Sequence, residues 1–251
     1  MNIAYSAFDQ FEIIRLIPLH LFGNFDISIT NSTVFLLVAV GSFYWLYLLN
    51  VEEGPLVPGR WQSIIELAYE NMLNVVKDNI GSKGFQYFPF IFTLFIFLAM
   101  LNLFGIVPYT FSPTSHIAIT FGLSLSIFLG VTLLGLVNYQ SNYLSMFMPG
   151  GAPMIMAPFL VVIEIISHVA KAISLGVRLA ANITAGHLLF AILSGFCWTM
   201  LTAGGMLALL STFPILIVVF ITGLEMAVAL IQAYVFSLLT SIYISESIDL
   251  H

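Results

Sequence analysis

Charge is what this chain has least of. Only 7% of its 251 residues are Asp, Glu, Lys or Arg, and residues 84 to 163 contain none of them. With a mean hydropathy of +1.07, this excludes a water-soluble domain and makes the chain a polytopic membrane protein in contact with lipid. Basic residues number six and form no cluster, which excludes a nucleic-acid surface. The net charge of -6 belongs to short aqueous loops and termini. The single cysteine, Cys197, excludes an internal disulfide and offers no metal or iron–sulfur spacing, so no cofactor is expected. Near the N-terminus Asp9 and Glu12 stand where a signal peptide needs basic and then apolar residues, so no presequence is expected.

The apolar runs are long and uninterrupted, without the alternation of a β-barrel. Backbone amides at membrane depth must therefore be paired within helices. The expected fold is all-α: about five membrane-embedded helices plus one amphipathic surface helix, forming a single membrane domain over residues 1 to 251. A first span is expected over 33–50, ended by Glu52, Glu53 and Gly54. Over 58–80, Trp61, Ile64, Ile65, Ala68, Met72, Val75 and Val76 recur at three- and four-residue steps, opposite Gln62, Ser63, Glu66, Glu70, Lys77 and Asp78. That pattern predicts a helix lying at the membrane surface or against a soluble partner. Further spans are expected over 86–109 and 116–138, separated by Pro108, Pro113 and Ser115, with a Pro149-Gly150-Gly151-Ala152-Pro153 loop after them. Two longer stretches, 156–203 and 206–246, exceed one perpendicular crossing and must tilt strongly or kink. Gly204 and Gly205 mark the turn between them. Three basic residues in the 51–84 loop, against Arg15 before the first span, place that loop on the matrix or cytoplasmic side.

Most of the polar chemistry sits inside the last two stretches. Arg178 has no other Asp, Glu, Lys or Arg between it and Glu225. A guanidinium cannot shed its proton, and holding it in lipid costs at least ~3 kcal/mol, so a carboxylate or a water-filled groove must compensate it. An arginine snorkelling from a helix end to a headgroup is the plainer alternative. Glu164, Lys171 and Arg178 are spaced seven apart and share one helix face, with His168 and Asn182 on or near it. His187 follows about a turn later, and Glu225 and Gln232 lie seven apart on the next helix. A buried Glu and His can relay protons; otherwise each polar residue serves as an interhelical hydrogen bond.

The run Ser174-Leu175-Gly176-Val177-Arg178-Leu179-Ala180-Ala181-Asn182-Ile183-Thr184-Ala185-Gly186-His187 resembles the signature helix of subunit a of F-type ATP synthase, in the form encoded by mitochondrial genomes. Similarity extends to Asp9-Gln10-Phe11-Glu12-Ile13, to residues 87–95, to the 149–153 loop, to Glu225 through Gln232, and to the closing Leu250-His251. The resemblance implies a non-catalytic stator that passes protons to and from carboxylates on a rotating c-ring through two offset half-channels. It further implies His187, Glu225, Gln232 and Asn182 on the uptake side, and Arg178 as the essential cation between the half-channels. Glu164, His168 and Glu246 would lie on the exit side, with Lys171 as a supporting cation. The implied partners are the c-ring, the peripheral stalk and other FO membrane subunits, within an ATP synthase dimer of the mitochondrial inner membrane.

Three other functions suit an apolar chain with buried polar groups. A proton-coupled secondary transporter calls for inverted repeats with matching Gly or Pro breaks, and the two halves show no such symmetry. A haem-bearing subunit calls for paired histidines, whereas His116, His168 and His187 are not regularly paired. A purely structural respiratory membrane subunit differs from a proton path in one observable: substitution at Arg178 would leave proton flux unchanged.

Overall fold

The computed structural model describes residues 9–21, 25–26, 28–50, 59–107, 110–140, 143 and 156–248. Glu52, Glu53, Gly54, Pro58, Pro108, the 149–153 loop and Leu250-His251 lie outside the described residues. Helix dominates. α1 covers Asn31–Asn50, α2 Arg60–Ile80, α3 Phe88–Ile106, α4 Ile117–Tyr139, α5 Ala157–Ala203, α6 Gly205–Leu210 and α7 Thr212–Ile248. Among the described residues four stretches are long and apolar enough to cross a membrane, namely α3, α4, α5 and the α6–α7 run, and α1 adds a shorter apolar helix. At 1.5 Å per residue the 47 residues of α5 extend ~70 Å, more than twice a ~30 Å hydrocarbon core, so α5 must tilt steeply or project beyond it.

Among the described residues, sheet structure is confined to the N-terminal segment. There β1 (Arg15–Ile17) pairs antiparallel with β4 (Ile29–Thr30), and β2 (His20–Leu21) with β3 (Phe25–Asp26). The all-helical expectation did not include these short ladders, which satisfy backbone groups over a stretch too short for a stable helix. The second long stretch also differs from the single helix expected over 206–246, because it divides at Ser211 into α6 and α7. Pro214 has no N–H to offer the carbonyl of Leu210, so the hydrogen-bond ladder breaks one turn before it. Gly204 and Gly205, with φ of 71° and 61°, adopt the left-handed turn that separates α5 from α6.

The chain divides into two compact units. One contains Met1–Leu49, Phe97–His116 and Leu179–Ala233. Ala39, Leu98, Leu101, Leu179, Ile183 and Ala229 are buried in it. A short 3-10 turn, Pro113–Ser115, buries the hydroxyls of Thr114 and Ser115, and Thr184 donates a hydrogen bond to the Ser115 carbonyl at 3.0 Å. His116 stacks on Phe111 with ring centroids 5.2 Å apart, and burial holds its pKa below the ordinary histidine value.

The other unit contains Asn50–Ile96, Ile117–Arg178 and Tyr234–His251. In it α2 buries Met72, Val75, Val76 and Ile80, while Ile64, grouped with that stripe by sequence, is 59% exposed. The inward face therefore runs along Ile65, Ala68, Met72 and Val76, and Ile64 falls to its side. Tyr69 packs edge-on against Phe88 and Phe92, tying α2 to the start of α3. Asn79 donates to the Ser241 hydroxyl at 3.1 Å, and Ser245 donates to the Asn79 carbonyl at 2.7 Å, tying the end of α2 to α7. Gly176 lets α5 approach the backbone of α4. A Cβ there would lie 2.6 Å from Ser124 Oγ and 3.0 Å from Phe121 Cα, so this contact needs glycine two residues before Arg178.

Candidate functional site

In the first unit, α5 and α7 bring four polar residues into two contacts. Asn182 Nδ2 donates to Gln232 Oε1 at 3.1 Å. One turn further along α5, His187 Nδ1 lies 4.0 Å from Glu225 Oε1. Glu225 is 7% exposed and Gln232 4% exposed. Gly186 makes this possible, because a Cβ on it would stand 2.7 Å from Glu225 Oε1 and push the carboxylate away.

Hydrogen bonding here is incomplete in a consistent way. His187 Nε2, Glu225 Oε1 and Gln232 Nε2 are buried without a hydrogen-bond partner among the described residues. A 4.0 Å separation is too long for a direct hydrogen bond and suited to an intervening water. Beside His187 and Glu225 lies a cavity of about 660 Å³, lined also by Gln10, Thr110, Phe190 and Thr222. Buried polar atoms left open toward such a cavity are what water completes. A titratable pair bridged by water can take up a proton at one group and pass it on from the other.

Sequence reasoning did not single out Asn102. It is fully buried on α3, donates through Nδ2 to the Ala229 carbonyl at 3.1 Å, and leaves Oδ1 without a partner among the described residues. Ala229 lies between Glu225 and Gln232 on α7, at helical spacing from both. One signal was present: Asn102 is the lone amide in the Phe-, Leu- and Ile-rich α3. Phe11, whose ring lies 6.2 Å from that of His187, carries no polar group and gives no such signal in the sequence.

In the second unit, Lys171 and Glu246 form a two-pronged ion pair, with Nζ 3.1 and 3.0 Å from the two carboxylate oxygens. The Lys171 ammonium also lies 5.8 Å from the centre of the Tyr243 ring. Glu246 is thus held by a cation. His168 is buried against Phe128, with centroids 4.9 Å apart. Glu164 is half-buried and has no hydrogen-bond partner among the described residues. Arg178 is exposed on α5 and reaches only Ser174 Oγ, at 3.5 Å; among the described residues it forms no ion pair. The Glu164–Lys171–Arg178 spacing therefore describes a stripe whose middle member turns to α7. Among the described residues no three His, Cys, Asp or Glu side chains converge to hold a metal.

Comparison with known proteins agrees over nearly the whole chain. The family model described as ATP synthase A chain matches residues 31–245. ATP synthase subunit a of Metridium senile is 51% identical over 251 residues, covering all of both chains. The subunit a of Chondrus crispus is 45% identical, covering 98% of this chain and 97% of its own. That of Beijerinckia indica is 41% identical, covering 95% and 94%. A chain that aligns end to end with these proteins, and carries Arg178, Asn182 and His187 on one long membrane helix, belongs to the ATP synthase subunit a family.

Proposed function

We propose that this chain is the proton-conducting stator of the membrane sector of an ATP synthase, working beside a rotating c-ring in the mitochondrial inner membrane. The observation that carries this reading is Arg178, an exposed guanidinium on an apolar helix that meets no carboxylate among the described residues. A charge in that setting must be compensated from outside, and an acidic side chain on a neighbouring membrane subunit is the chemistry that does so.

Two offset half-channels follow. Protons enter through the water-accessible chamber of His187 and Glu225, pass the Asn182–Gln232 pair, and neutralise a carboxylate on the ring. A neutral carboxyl can then face lipid, whereas an ionised one is opposed by a desolvation penalty of several kcal/mol. On the other side Arg178 favours the ionised form, and the proton leaves by way of Glu164, with His168 beside that path. The driving force is ~2.3 kcal/mol per charge per 100 mV of membrane potential. The chain itself makes no bond in ATP; its peripheral-stalk and other FO neighbours hold it still, in a dimeric assembly, while the ring turns.

Glu246 is assigned differently from the exit residues. Its two oxygens are engaged by Lys171, which makes the pair a latch between α5 and α7 rather than a relay. Lys171→Ala, Glu246→Ala and the double variant are then expected to lower stability by similar amounts, since each breaks the same contact. Additive losses in thermal unfolding, or a change in proton release confined to Glu246→Ala, would return Glu246 to the conducting path.

The test of the whole reading is an experimental map of the assembled complex in a membrane. A ring carboxylate within ~6 Å of the Arg178 guanidinium is expected, the distance at which opposite charges shift each other's ionisation. A guanidinium directed into acyl chains, away from any neighbouring helix, overturns the proposal.

A further inference from the structure

Within the first unit, Asn31 clamps the N-terminal segment. Asn31, which opens α1, accepts a hydrogen bond from the Ile14 N–H on Oδ1 at 3.3 Å and donates from Nδ2 to the Glu12 carbonyl at 3.1 Å. Its own backbone N–H donates to the Ile14 carbonyl at 3.1 Å. The β1–β4 ladder continues the attachment from Arg15 onward. Just upstream of this clamp, Gln10 lines the cavity shared by His187 and Glu225, and Phe11 meets the His187 ring at an interplanar angle of 77°.

His187 needs such a neighbour. Among the described residues its Nε2 has no hydrogen-bond partner and its Nδ1 is 4.0 Å from the nearest Glu225 oxygen, so no hydrogen bond from them fixes the plane of the imidazole. Packing must do so, and an edge-to-face aromatic contact prefers a defined orientation. Of the residues that line the chamber, His187 and Glu225 are the ones that carry an acid or base. Gln10, Phe11 and Thr110 do not.

Resting on the reading of this chamber as the proton-uptake path, we propose that Gln10–Ile14 is a strap forming its outer wall, buckled at Asn31. Within the strap Gln10 is a wall residue and Phe11 is the positioning residue that sets the His187 ring. The arrangement makes uptake depend on a segment that carries no relay group of its own.

The test uses the complete ATP synthase, with Cys197→Ser in this chain, reconstituted in lipid vesicles. Gln10→Cys, treated after assembly with a membrane-impermeant cationic thiol reagent, is expected to lose proton flux to background, because a fixed cation then stands in the chamber wall. Leu16→Cys, beyond the clamp, is expected to label with flux unchanged. Complete labelling at position 10 with full flux overturns the wall assignment, and a complex labelled after assembly does not depend on the variant's folding. Phe11→Ala is expected to slow uptake on the order of tenfold, short of the ~10²-fold that an ångström of misplacement can cost, with rescue by Phe11→Tyr. Normal flux in Phe11→Ala, or no rescue by tyrosine, overturns the positioning role. Glu225→Gln in the same vesicles separates the two levels. If Glu225→Gln conducts normally, the uptake reading itself fails; if it is slowed while the Gln10 and Phe11 variants are normal, the strap alone fails.

Discussion

Arg178→Ala is expected to abolish proton-driven ATP synthesis by the assembled complex while passive proton leak through it persists or rises. The two effects share one cause. A fixed cation between two water-accessible paths repels a proton attempting to cross directly, and it draws the proton off each arriving carboxyl by favouring the ionised form. Alanine removes both. Each unit by which the guanidinium lowers a partner's pKa represents 1.36 kcal/mol, so a shift of one to three units corresponds to roughly 10- to 1000-fold in the release equilibrium. Lysine should rescue poorly, because a buried ammonium can lose its proton and lacks the planar fork that grips a carboxylate. ATP synthesis and dye-reported proton flux, measured on the same vesicles, provide the check. Normal coupled synthesis in Arg178→Ala would remove the role.

Glu225→Gln should slow proton uptake at least about tenfold, the low side of the ~10²–10⁴ that a positioned proton-transfer group contributes. The amide keeps the size of the carboxyl, so it fits the space that Gly186 leaves, and assembly is expected to be unaffected. What it loses is the ability to take and return a proton beside His187. Flux driven from the uptake side should fall, and the defect should ease as that side is made more acidic. A variant with unchanged flux at all pH values would mean that Glu225 only holds helices together.

Much of the fold was legible because lipid leaves the sequence few options. Stretches without charge and longer than ~20 residues must be helices, and the amphipathic period in α2 announced a different environment. Where the reading fell short, the cause was local. Pro214 interrupts a run that hydropathy alone treats as continuous, and the ladders around Arg15 and Thr30 pair residues across a turn that composition does not reveal. In the candidate site, helical spacing identified the residues but not their partners. Lys171 and Arg178 lie on one stripe seven residues apart, yet Lys171 turns to Glu246 and Arg178 does not. Pairing between helices depends on register, which a single sequence does not carry. Asn102 escaped notice for the opposite reason, because one amide in a helix has no period to detect.

The gap between His187 and Glu225 has a consequence for inherited or selected loss of function. If conduction depends on water standing in that gap, the protein can be silenced by drying it, with every titratable group left in place. Gly223 lines the same chamber, and a side chain added there meets nothing within 4 Å, so an aliphatic residue could be accommodated without strain and would occupy the solvent's room. Damaging variants of this subunit should therefore include greasy substitutions at small, chemically silent positions, which a search restricted to acids, bases and amides would overlook.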